Sequence, residues 1–414
     1  SIHAQQLKLN ISAKSAILIN ADTGMVLYEK NAHAPSYPAS ITKVATALYA
    51  LEQKQDLDEP ILATQDSLSV VPAYLKKAPG SKHPSYRLEP DGTNIGIQVG
   101  EELTFKTLLY GLMLSSGNDA ANVIAQYVSG SIGQFMDELN AYFLQKGFRE
   151  THFNNPHGLH HPEHYTSAFD MALITMEAMK KPVFREIVRT VQYSRPETNK
   201  QHATALLQSN RLLRRGPFYY PKAIGVKTGY HSKAGHTFIG AAQQDERTLI
   251  AVVLNCPDAN QRFKDVISLF EAAFSEKKEI RTLFTKKYDT FPLELKGAKS
   301  LLIASLPEDL TLSYFPSEEP AFKIYLQWKD LSLPVSEGQT VGEIQMISND
   351  GRVLKNTPLF ATADVEMTAW FKWTHFYDKI GPKTFNMTLI LILMGLVNGW
   401  TVFHLMRKRN HKPQ

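Results

Sequence analysis

The stretch "PASITKVATAL", residues 38–48, places a lysine inside a run of small and apolar side chains. Its apolar members recur with the spacing of one helix face: Ile41, Val44, Ala45 and Leu48. This spacing predicts a buried helix, in which Lys43 is costly unless its amine has a use. Ser40 lies three positions earlier, at a neighbouring place on the same face. A desolvated amine can take the proton of a serine hydroxyl, so the pair predicts an activated nucleophile.

Two further short motifs lie far from this stretch in the chain. "SGN", residues 116–118, interrupts a helical pattern, and "KTG", residues 227–229, opens a predicted late hairpin. Each motif alone is a weak signal, because S-x-x-K occurs by chance in many proteins of this size. The three together, in this order and in these settings, are the set found in class A β-lactamases and penicillin-binding proteins.

The chain resembles the low-molecular-weight penicillin-binding proteins that act as D-alanyl-D-alanine carboxypeptidases. The stretches that carry the resemblance are "ILINADTGMVLYEKNA", "YPASITKVATAL", "LLYGLMLSSGNDAANVIA", "FNNPHGL", "SAFDMALI" and "GVKTGYHSKAGHTFIGAA". They lie within a region of about residues 12–366 that matches the family throughout. The resemblance implies a serine-type enzyme that removes the terminal D-alanine from peptidoglycan stem pentapeptides. It also implies covalent inhibition by β-lactam antibiotics, and no metal or organic cofactor.

The resemblance assigns catalytic roles to the motif residues. Ser40 would attack the carbonyl between two D-alanines and form an acyl-enzyme, with Lys43 as its base. A free lysine is almost entirely protonated at pH 7, so burial and a second cation must lower the pKa of this amine. Lys227 is the expected second cation. Ser116 would relay a proton to the leaving amine, and Asn118 would hydrogen-bond the substrate peptide.

Further residues would bind the substrate. Thr228 and Gly229 are expected on an edge strand, whose backbone can pair with an extended peptide. The backbone N–H groups of Ser40 and Tyr230 would form the oxyanion hole. Arg262 falls at the family's position for a guanidinium that binds the substrate's terminal carboxylate. Each of these side chains also has a plain structural interpretation, such as a helix cap or a surface cation, which the co-occurrence of the motifs disfavours.

The order of predicted elements indicates an α+β fold for residues 1–276, the catalytic domain. A hairpin over 15–30 and two late strands, "AGHTFIGAAQ" and "RTLIAVVLN", flank a helical middle. This order predicts a helical cluster on an antiparallel sheet, as in penicillin-binding and β-lactamase-like domains. Residues 66–98 are rich in proline, glycine and charge, and we expect a long surface excursion that could border the cleft.

The C-terminal third has a different pattern of apolar runs and turns. Residues 277–366 contain short strand-like runs with turns every 8–12 residues, which predict a small all-β sandwich. An aromatic juxtamembrane segment (367–386), an uncharged transmembrane helix (387–406) and a basic cytoplasmic tail (407–414) are expected to follow. The catalytic domain would then lie on the periplasmic side of the cytoplasmic membrane. A buried helix or an interfacial helix at 387–406 remains an alternative.

Charge and cysteine content exclude other classes of protein. The net charge is +5, and Arg407, Lys408, Arg409 and Lys412 supply four of these charges, so no basic face for nucleic acid is expected. The single cysteine, Cys256, excludes an intramolecular disulfide and lacks the sequence context of a zinc site or a catalytic thiol.

"HGLHHPEH", residues 157–164, places four histidines in eight positions. Because no second ligand cluster is visible, we expect a solvated loop near the mouth of the site rather than a metal centre. Glu163 is followed four residues later by Ser167, so Glu163 does not begin the E-x-x-x-N loop by which class A β-lactamases deacylate. Penicillins are therefore expected to inhibit.

Two alternative functions stay open. An endopeptidase that cleaves peptide cross-links uses the same three motifs, and residues 66–98 could alter substrate preference towards it. A catalytically silent, membrane-anchored wall-binding protein is the alternative of a different class. The intact motif residues argue against the second alternative, because a silent protein has no chemical need of them.

Overall fold

The computed structural model describes residues 6–72, 74 and 83–380. These residues fall into two compact units. The first unit holds the chain up to Lys278 together with Phe315–Glu319, and the second holds Glu279–Tyr314 and the chain from Pro320 onward. The sequence assigned residues 315–319 to the β domain, because the ion pairs that bind this segment to the first unit have no local sequence signal.

An antiparallel sheet lies at the centre of the first unit. The strands of this unit are β1 (Ser15–Asn20), β2 (Val26–Lys30), β3 (Pro60–Leu62), β4 (Glu102–Thr104), β5 (Gln192–Arg195), β6 (Thr204–Leu207), β7 (Ala223–His231), β8 (Gly235–Gln244) and β9 (Arg247–Cys256). The main sheet has the order β2-β1-β9-β8-β7, with β7 at one edge. The remaining strands form two small antiparallel pairs, β3 with β4 and β5 with β6.

Helices cover both faces of this sheet. They are α1 (Thr42–Gln53), α2 (Phe105–Met113), α3 (Asn118–Ser129), α4 (Ile132–Lys146), α5 (Ala168–Met179), α6 (Pro182–Arg189) and α7 (Gln261–Phe274). In β9, Ile250 and Val252 pack in the apolar cluster that contains side chains of α1–α6. Ala251 and Val253 pack in a second cluster, with Phe270 of α7. Because successive strand side chains point to opposite faces, this uninterrupted apolar strand is buried on both sides.

Most of the predicted elements of the first unit are confirmed. The first hairpin forms and β1 pairs with β9, so both ends of the region join one sheet. One helix of the predicted helical middle begins at Ala168, and the Ser167 hydroxyl caps it by accepting a hydrogen bond from the Asp170 N–H at 3.0 Å. The fold is the predicted one, a helical cluster on an antiparallel sheet.

The strand β7 adds to the two late strands predicted from the residue pattern, and only the resemblance had placed Thr228 and Gly229 on an edge strand. Its sequence "AIGVKTGYH" contains two glycines and a lysine, which lower the strand signal. β7 nevertheless pairs with β8 along its length. The K-T-G motif therefore lies within an edge strand, which is the setting that the resemblance implied.

The surface excursion expected at 66–98 agrees only in part with the structure: most of its described residues are exposed or half-buried, but a few apolar ones are buried. Val71, Leu88 and Ile97 are buried, and a parallel bridge joins Val70 to Leu88. These three residues lie far apart in a segment rich in proline, glycine and charge, so no periodic pattern indicated that they pack against the unit.

The second unit is built mainly of antiparallel strands. They are β10 (Glu279–Phe284), β11 (Thr290–Leu293), β12 (Leu302–Ser305), β13 (Leu310–Tyr314), β14 (Phe322–Trp328), β15 (Thr340–Ser348) and β16 (Val353–Ala361). One sheet has the order β11-β12-β16-β15-β14, and β10 pairs with β13 in a second. A single apolar cluster contains Leu302, Ile344 and Leu359 of the large sheet and Leu310 of the small one. This arrangement agrees with the expected small sandwich.

The C-terminal segments are described only in part. A helix, α8 (Ala369–Ile380), occupies the predicted juxtamembrane segment. Within the described part of the chain, no helix has the length and apolar character that crossing a membrane requires. The predicted transmembrane helix (387–406) and basic tail (407–414) lie outside the described residues.

Candidate active site

The amine of Lys43 lies at the centre of a buried polar cluster. A short 3₁₀ turn (Ala39–Ile41) carries Ser40 and leads directly into α1, where the Lys43 side chain is fully buried. Lys43 Nζ lies 3.0 Å from Ser40 Oγ and 2.7 Å from Asn118 Oδ1. It also donates to the carbonyl oxygen of His157 at 2.7 Å. The Asn118 and His157 oxygens fix the amine beside the Ser40 hydroxyl, as the S-x-x-K spacing predicts.

The surroundings of Lys43 favour its neutral form. Burial, reinforced by the positive charge of Lys227, holds the pKa of the Lys43 amine well below its usual value, and Asp119 opposes this shift. A neutral amine has a lone pair that can accept the Ser40 proton. The pair can therefore generate an alkoxide-like nucleophile near neutral pH.

Lys227 is the second buried cation of the site. Its side chain is fully buried in β7, and Nζ donates to the Thr228 carbonyl oxygen at 2.9 Å. Burial and the neighbouring Arg262 guanidinium lower the pKa of Lys227 to about 7. The charge expected next to Lys43 is thus present.

Gly229 allows β7 to approach the nucleophile closely. A Cβ atom at this position would lie 2.9 Å from the Ser40 backbone nitrogen and 2.4 Å from Thr237 Oγ1. Gly158 is similar from the other side, since a Cβ there would lie 2.0 Å from the Ala39 carbonyl oxygen. The backbone around Ser40 therefore lies between two glycines, at distances that no side chain permits.

The SGN motif forms a strained turn at the start of α3. Ser116 has a φ of 60°, in the left-handed region that non-glycine residues seldom adopt, and Ala39 beside the nucleophile has a φ of 53°. Such strain is concentrated at functional sites. The turn brings the Asn118 side chain into hydrogen-bond contact with Lys43. Ser116, two residues earlier in the chain than Asn118, is nearly buried.

Arg262 and Tyr230 lie at the two remaining predicted positions. Arg262 Nη1 donates to the carbonyl oxygens of Gly229, at 2.9 Å, and Thr237, at 3.3 Å. Its guanidinium thus joins β7 to β8 beside Lys227. Tyr230 is exposed and stacks on His236, with ring centroids 4.4 Å apart.

A cavity of about 380 Å³ opens over Ser40. Asn118 and the end of β7 line it together with the loop that contains His157 and Leu159. Its remaining wall is formed by residues 89–93, within the segment 66–98 that was expected to border the cleft. The only sequence signal for this wall is that the segment lies between the first two motifs. Its part in the cavity depends on tertiary packing.

Two of the four clustered histidines are buried, so the expectation of a solvated loop is wrong for them. His157 Nε2 lies 3.1 Å from the Tyr86 carbonyl oxygen, and burial next to Lys43 lowers its pKa to about 3. His164 lies between Thr42 Oγ1 at 2.9 Å and the Asn154 N–H at 3.0 Å. In the described residues, no group of three or more His, Cys, Asp or Glu side chains is arranged to hold a metal ion.

The comparisons with known proteins agree with this geometry. A family model described as "D-alanyl-D-alanine carboxypeptidase" matches residues 2–258. The D-alanyl-D-alanine carboxypeptidase DacF of Bacillus subtilis (strain 168) is 32% identical over 358 residues, covering 86% of each chain. The Escherichia coli (strain K12) enzyme DacD is 27% identical, covering 83% of this chain and 84% of its own.

Solved structures show the same fold. Penicillin binding protein 5 from Haemophilus influenzae has a TM-score of 0.59 at 22% identity, covering 87% of this chain and 100% of its own. The Streptomyces K15 DD-transpeptidase has a TM-score of 0.57 at 27% identity, covering 65% and 99%. The resemblance inferred from the motifs is confirmed, and the protein belongs to the D-alanyl-D-alanine carboxypeptidase family.

Proposed function

We propose that this chain is a serine-type D-alanyl-D-alanine carboxypeptidase that removes the terminal D-alanine from peptidoglycan stem pentapeptides, with Ser40 as its nucleophile. The observation that carries the proposal is the fully buried Lys43 amine, 3.0 Å from Ser40 Oγ and close to a second buried cation. Burying a lysine amine costs free energy, which a purely structural side chain at this position would avoid. Proton transfer from Ser40 gives it a function.

In the acylation step, the neutral Lys43 amine takes the Ser40 proton while Oγ attacks the carbonyl carbon of the penultimate D-alanine. The N–H groups of Ser40 and Tyr230 stabilise the oxyanion, since Gly229 brings β7 against the Ser40 backbone. The tetrahedral intermediate collapses and expels the terminal D-alanine amine, which receives its proton through Ser116. Water then hydrolyses the ester and returns the Ser40 proton.

The substrate would bind as an additional strand along β7. This strand is at the edge of its sheet, so Thr228 and Gly229 offer backbone groups to an extended peptide. The amide of Asn118 would bind the peptide from the opposite side of the cleft. Lys227 and Arg262 provide positive charge at the end of the site where the terminal carboxylate of the peptide would lie.

Penicillins would acylate the same serine, because the β-lactam amide occupies the place of the scissile peptide bond. Deacylation in class A β-lactamases needs a glutamate that activates water. Here Glu163 is exposed, and the Ser167 hydroxyl is engaged by Glu150 at 2.5 Å. We therefore expect a long-lived penicilloyl-enzyme.

The proposal extends to location. We propose that the C-terminal segment anchors the enzyme in the cytoplasmic membrane, with the catalytic unit outside. The support is the uncharged run at 387–406, followed by a basic tail. In α8, Trp370 and Trp373 are exposed and stack with ring centroids 5.8 Å apart, as expected for side chains at a membrane interface.

The test is D-alanine release from a synthetic pentapeptide ending in D-Ala-D-Ala, by the parent protein and by Ser40→Ala. Release should be abolished in the variant, together with covalent labelling by penicillin. Cleavage of a cross-linked dimer into its two monomers, without D-alanine release from the pentapeptide, would favour the endopeptidase. If Ser40→Ala retained penicillin labelling, the nucleophile would have to be another residue.

A further inference from the structure

A second cavity lies beside the active-site cavity and has no part in the mechanism above. Its volume is about 340 Å³, within the range of small-molecule sites. The residues that shape it include Pro35, Tyr37, Pro162, Tyr165, Lys233 and Asn255. All of these lie in the first unit, and none of the side chains in the lining is acidic.

Residues that are adjacent in the chain line the two cavities. The end of β7 lines the active-site cavity through His231 and Ser232, and the next residue, Lys233, lines the second cavity. Tyr37, which lines the second cavity, is three residues before Ser40. Three residues span at most about 11 Å, so the second cavity begins within that distance of the nucleophile.

An aromatic ridge, formed by Tyr37, His160 and His231, separates the cavities. The Tyr37 ring centroid lies 4.7 Å from that of His160 and 6.3 Å from that of His231. The two imidazoles are 5.4 Å apart. Burial and the neighbouring His160 lower the pKa of His231 to about 4, so this part of the ridge is uncharged at neutral pH. Because His231 is uncharged, it neither attracts nor repels the charged groups of a peptide that crosses the ridge.

The direction of the substrate decides what reaches the second cavity. In the proposed function, the terminal carboxylate lies towards Lys227 and Arg262, so the acyl-side residues run past Tyr230 and along the end of β7. Four residues precede the scissile bond in a stem pentapeptide, and extended they span about 14 Å. The sugar that carries the stem peptide therefore arrives at the second cavity.

The lining suits a saccharide. Tyr165 is 38% exposed, and the faces of tyrosine rings carry negative charge density that attracts the C–H bonds of a pyranose face. Proline rings add further flat apolar surface. Lys233 and Asn255 are polar groups of the lining that can bond hydroxyl and acetamido oxygens. Flat apolar walls with a few hydrogen-bonding groups match a sugar ring better than a charged peptide.

We propose that this cavity is a saccharide subsite that holds the sugar end of a peptidoglycan fragment while its stem peptide occupies the active-site cavity. The proposal rests on the proposed function for the direction of the peptide. It makes Tyr165 a specificity residue for glycan-linked substrates. A free peptide gains nothing from this side chain.

The test compares D-alanine release from N-acetylmuramoyl-pentapeptide with release from the same pentapeptide without the sugar. For the parent protein we expect kcat/KM to be about tenfold higher with the sugar, the value of one good aromatic contact. Tyr165→Ala should bring this ratio to about 1 and leave turnover of the free pentapeptide unchanged. Tyr165→Phe should retain the preference, because the ring face remains.

The control is Tyr219→Ala, which removes another exposed tyrosine of the first unit from outside both cavities. It should leave the preference unchanged. Equal turnover of both substrates by the parent protein, or a preference that survives Tyr165→Ala, would overturn the subsite. A preference that grows with peptide length alone would assign the cavity to peptide instead.

A binding measurement separates this proposal from the proposed function. On the Ser40→Ala background, calorimetric titration should give about tenfold tighter binding of the sugar-linked pentapeptide, and Tyr165→Ala should remove the difference. If the parent protein released no D-alanine from either substrate, the carboxypeptidase would fail. The binding ratio would still confirm or overturn the subsite.

Discussion

Three basic side chains are arranged in series from Arg262 through Lys227 to Lys43. The guanidinium lowers the pKa of Lys227, and the charge of Lys227 in turn lowers that of Lys43, in both cases after burial as the larger cause. Each cation makes the next one easier to deprotonate. The amine next to Ser40 is thus kept neutral by its neighbours as well as by its burial.

The series predicts how the pH profile responds to Lys227→Gln. Lys43 acts as a base only when neutral, so acylation rises with pH through its pKa. Removing the adjacent charge raises that pKa, and we expect the rising limb of Ser40 acylation by penicillin to move to higher pH. The plateau should also fall, because the carboxylate of the antibiotic loses a cation. Stopped-flow acylation rates between pH 5 and 10 measure both effects.

Lys264→Gln is the matched control for this experiment. Lys264 is an exposed lysine of α7, near Arg262 in sequence but outside the site. Its removal should leave the limb in place. A limb that stays fixed or moves to lower pH in Lys227→Gln would contradict the series.

The individual residues of the site differ in how far the sequence predicts them. Ser40 and Lys43 follow from one helical turn, so their contact is local. The His157 carbonyl that holds the amine was not predicted, because a backbone oxygen has no residue-specific signal. The imidazole of the same residue was expected in a solvated loop, but it is buried and lies next to the Tyr86 carbonyl oxygen.

At the scale of elements, the first turn of α3 organises one wall of the cleft. Asp119 is buried, and its carboxylate accepts hydrogen bonds from the N–H groups of Ile95, Gly96 and Ile97 at 2.9–3.0 Å. It also accepts from the N–H of Ala120 at 2.9 Å within its own helix. One carboxylate therefore fixes both the helix start and the segment that follows residues 89–93.

Asp119→Asn tests this anchor. The amide keeps the shape of the side chain but replaces one acceptor oxygen with a donor that faces backbone N–H groups. We expect a loss of about 2–3 kcal/mol in the free energy of unfolding, and faster hydrogen exchange of the amides at 95–97. Urea unfolding and exchange monitored by mass spectrometry give the two values.

An exposed aspartate provides the comparison. Asp137→Asn, on the solvent side of α4, should change neither the stability nor the exchange rates. If the amides at 95–97 exchanged equally slowly in Asp119→Asn, the wall would be held by its other contacts. The buried Arg195, which donates to the Ile95 carbonyl oxygen at 3.4 Å, would then be the next candidate.

The elements with periodic patterns were predictable, and those defined by long-range packing were not. The hairpin at 15–30 and the helix at 168–179 have clear apolar periods with turn or cap residues. The described parts of 66–98 lack a period, and their positions depend on Asp119 and on contacts far along the chain. The strand β7 was expected only from the resemblance, because its two glycines and its lysine weaken its own strand signal.

At the scale of the whole molecule, a short segment from late in the chain completes the first unit. Phe315–Glu319 belongs to this unit, although the strands before and after it belong to the other. Glu318 binds the Arg247 guanidinium at 2.6 Å, and Glu276 binds it at 3.2 Å. The Phe315 ring lies under the same guanidinium, with its centroid 3.9 Å away.

This cluster is nearly excluded from water. The side chains of Arg247 and Glu318 are 5% and 9% exposed. A buried ion pair contributes little compared with an apolar replacement, but removing one partner leaves the other charge buried without compensation. The segment therefore affects the stability of the first unit strongly, while none of its residues touches the active-site cavity.

For this reason, Glu318→Ala should lower the stability of the first unit without changing catalysis. We expect the free energy of unfolding of the first unit to fall by about 3 kcal/mol, because Glu276 remains to pair with Arg247 and limits the loss. Glu318→Gln should lose less, about 1 kcal/mol, since the amide still accepts a hydrogen bond. Below the unfolding transition, kcat/KM for the pentapeptide should equal that of the parent in both variants.

Unchanged urea unfolding in Glu318→Ala would show that the segment adds nothing to the stability of the first unit. A lower kcat/KM with unchanged stability would mean that the ion pair acts on the active site. The hydrogen bonds of Arg247 predict no such effect, because none of their partners lines the active-site cavity.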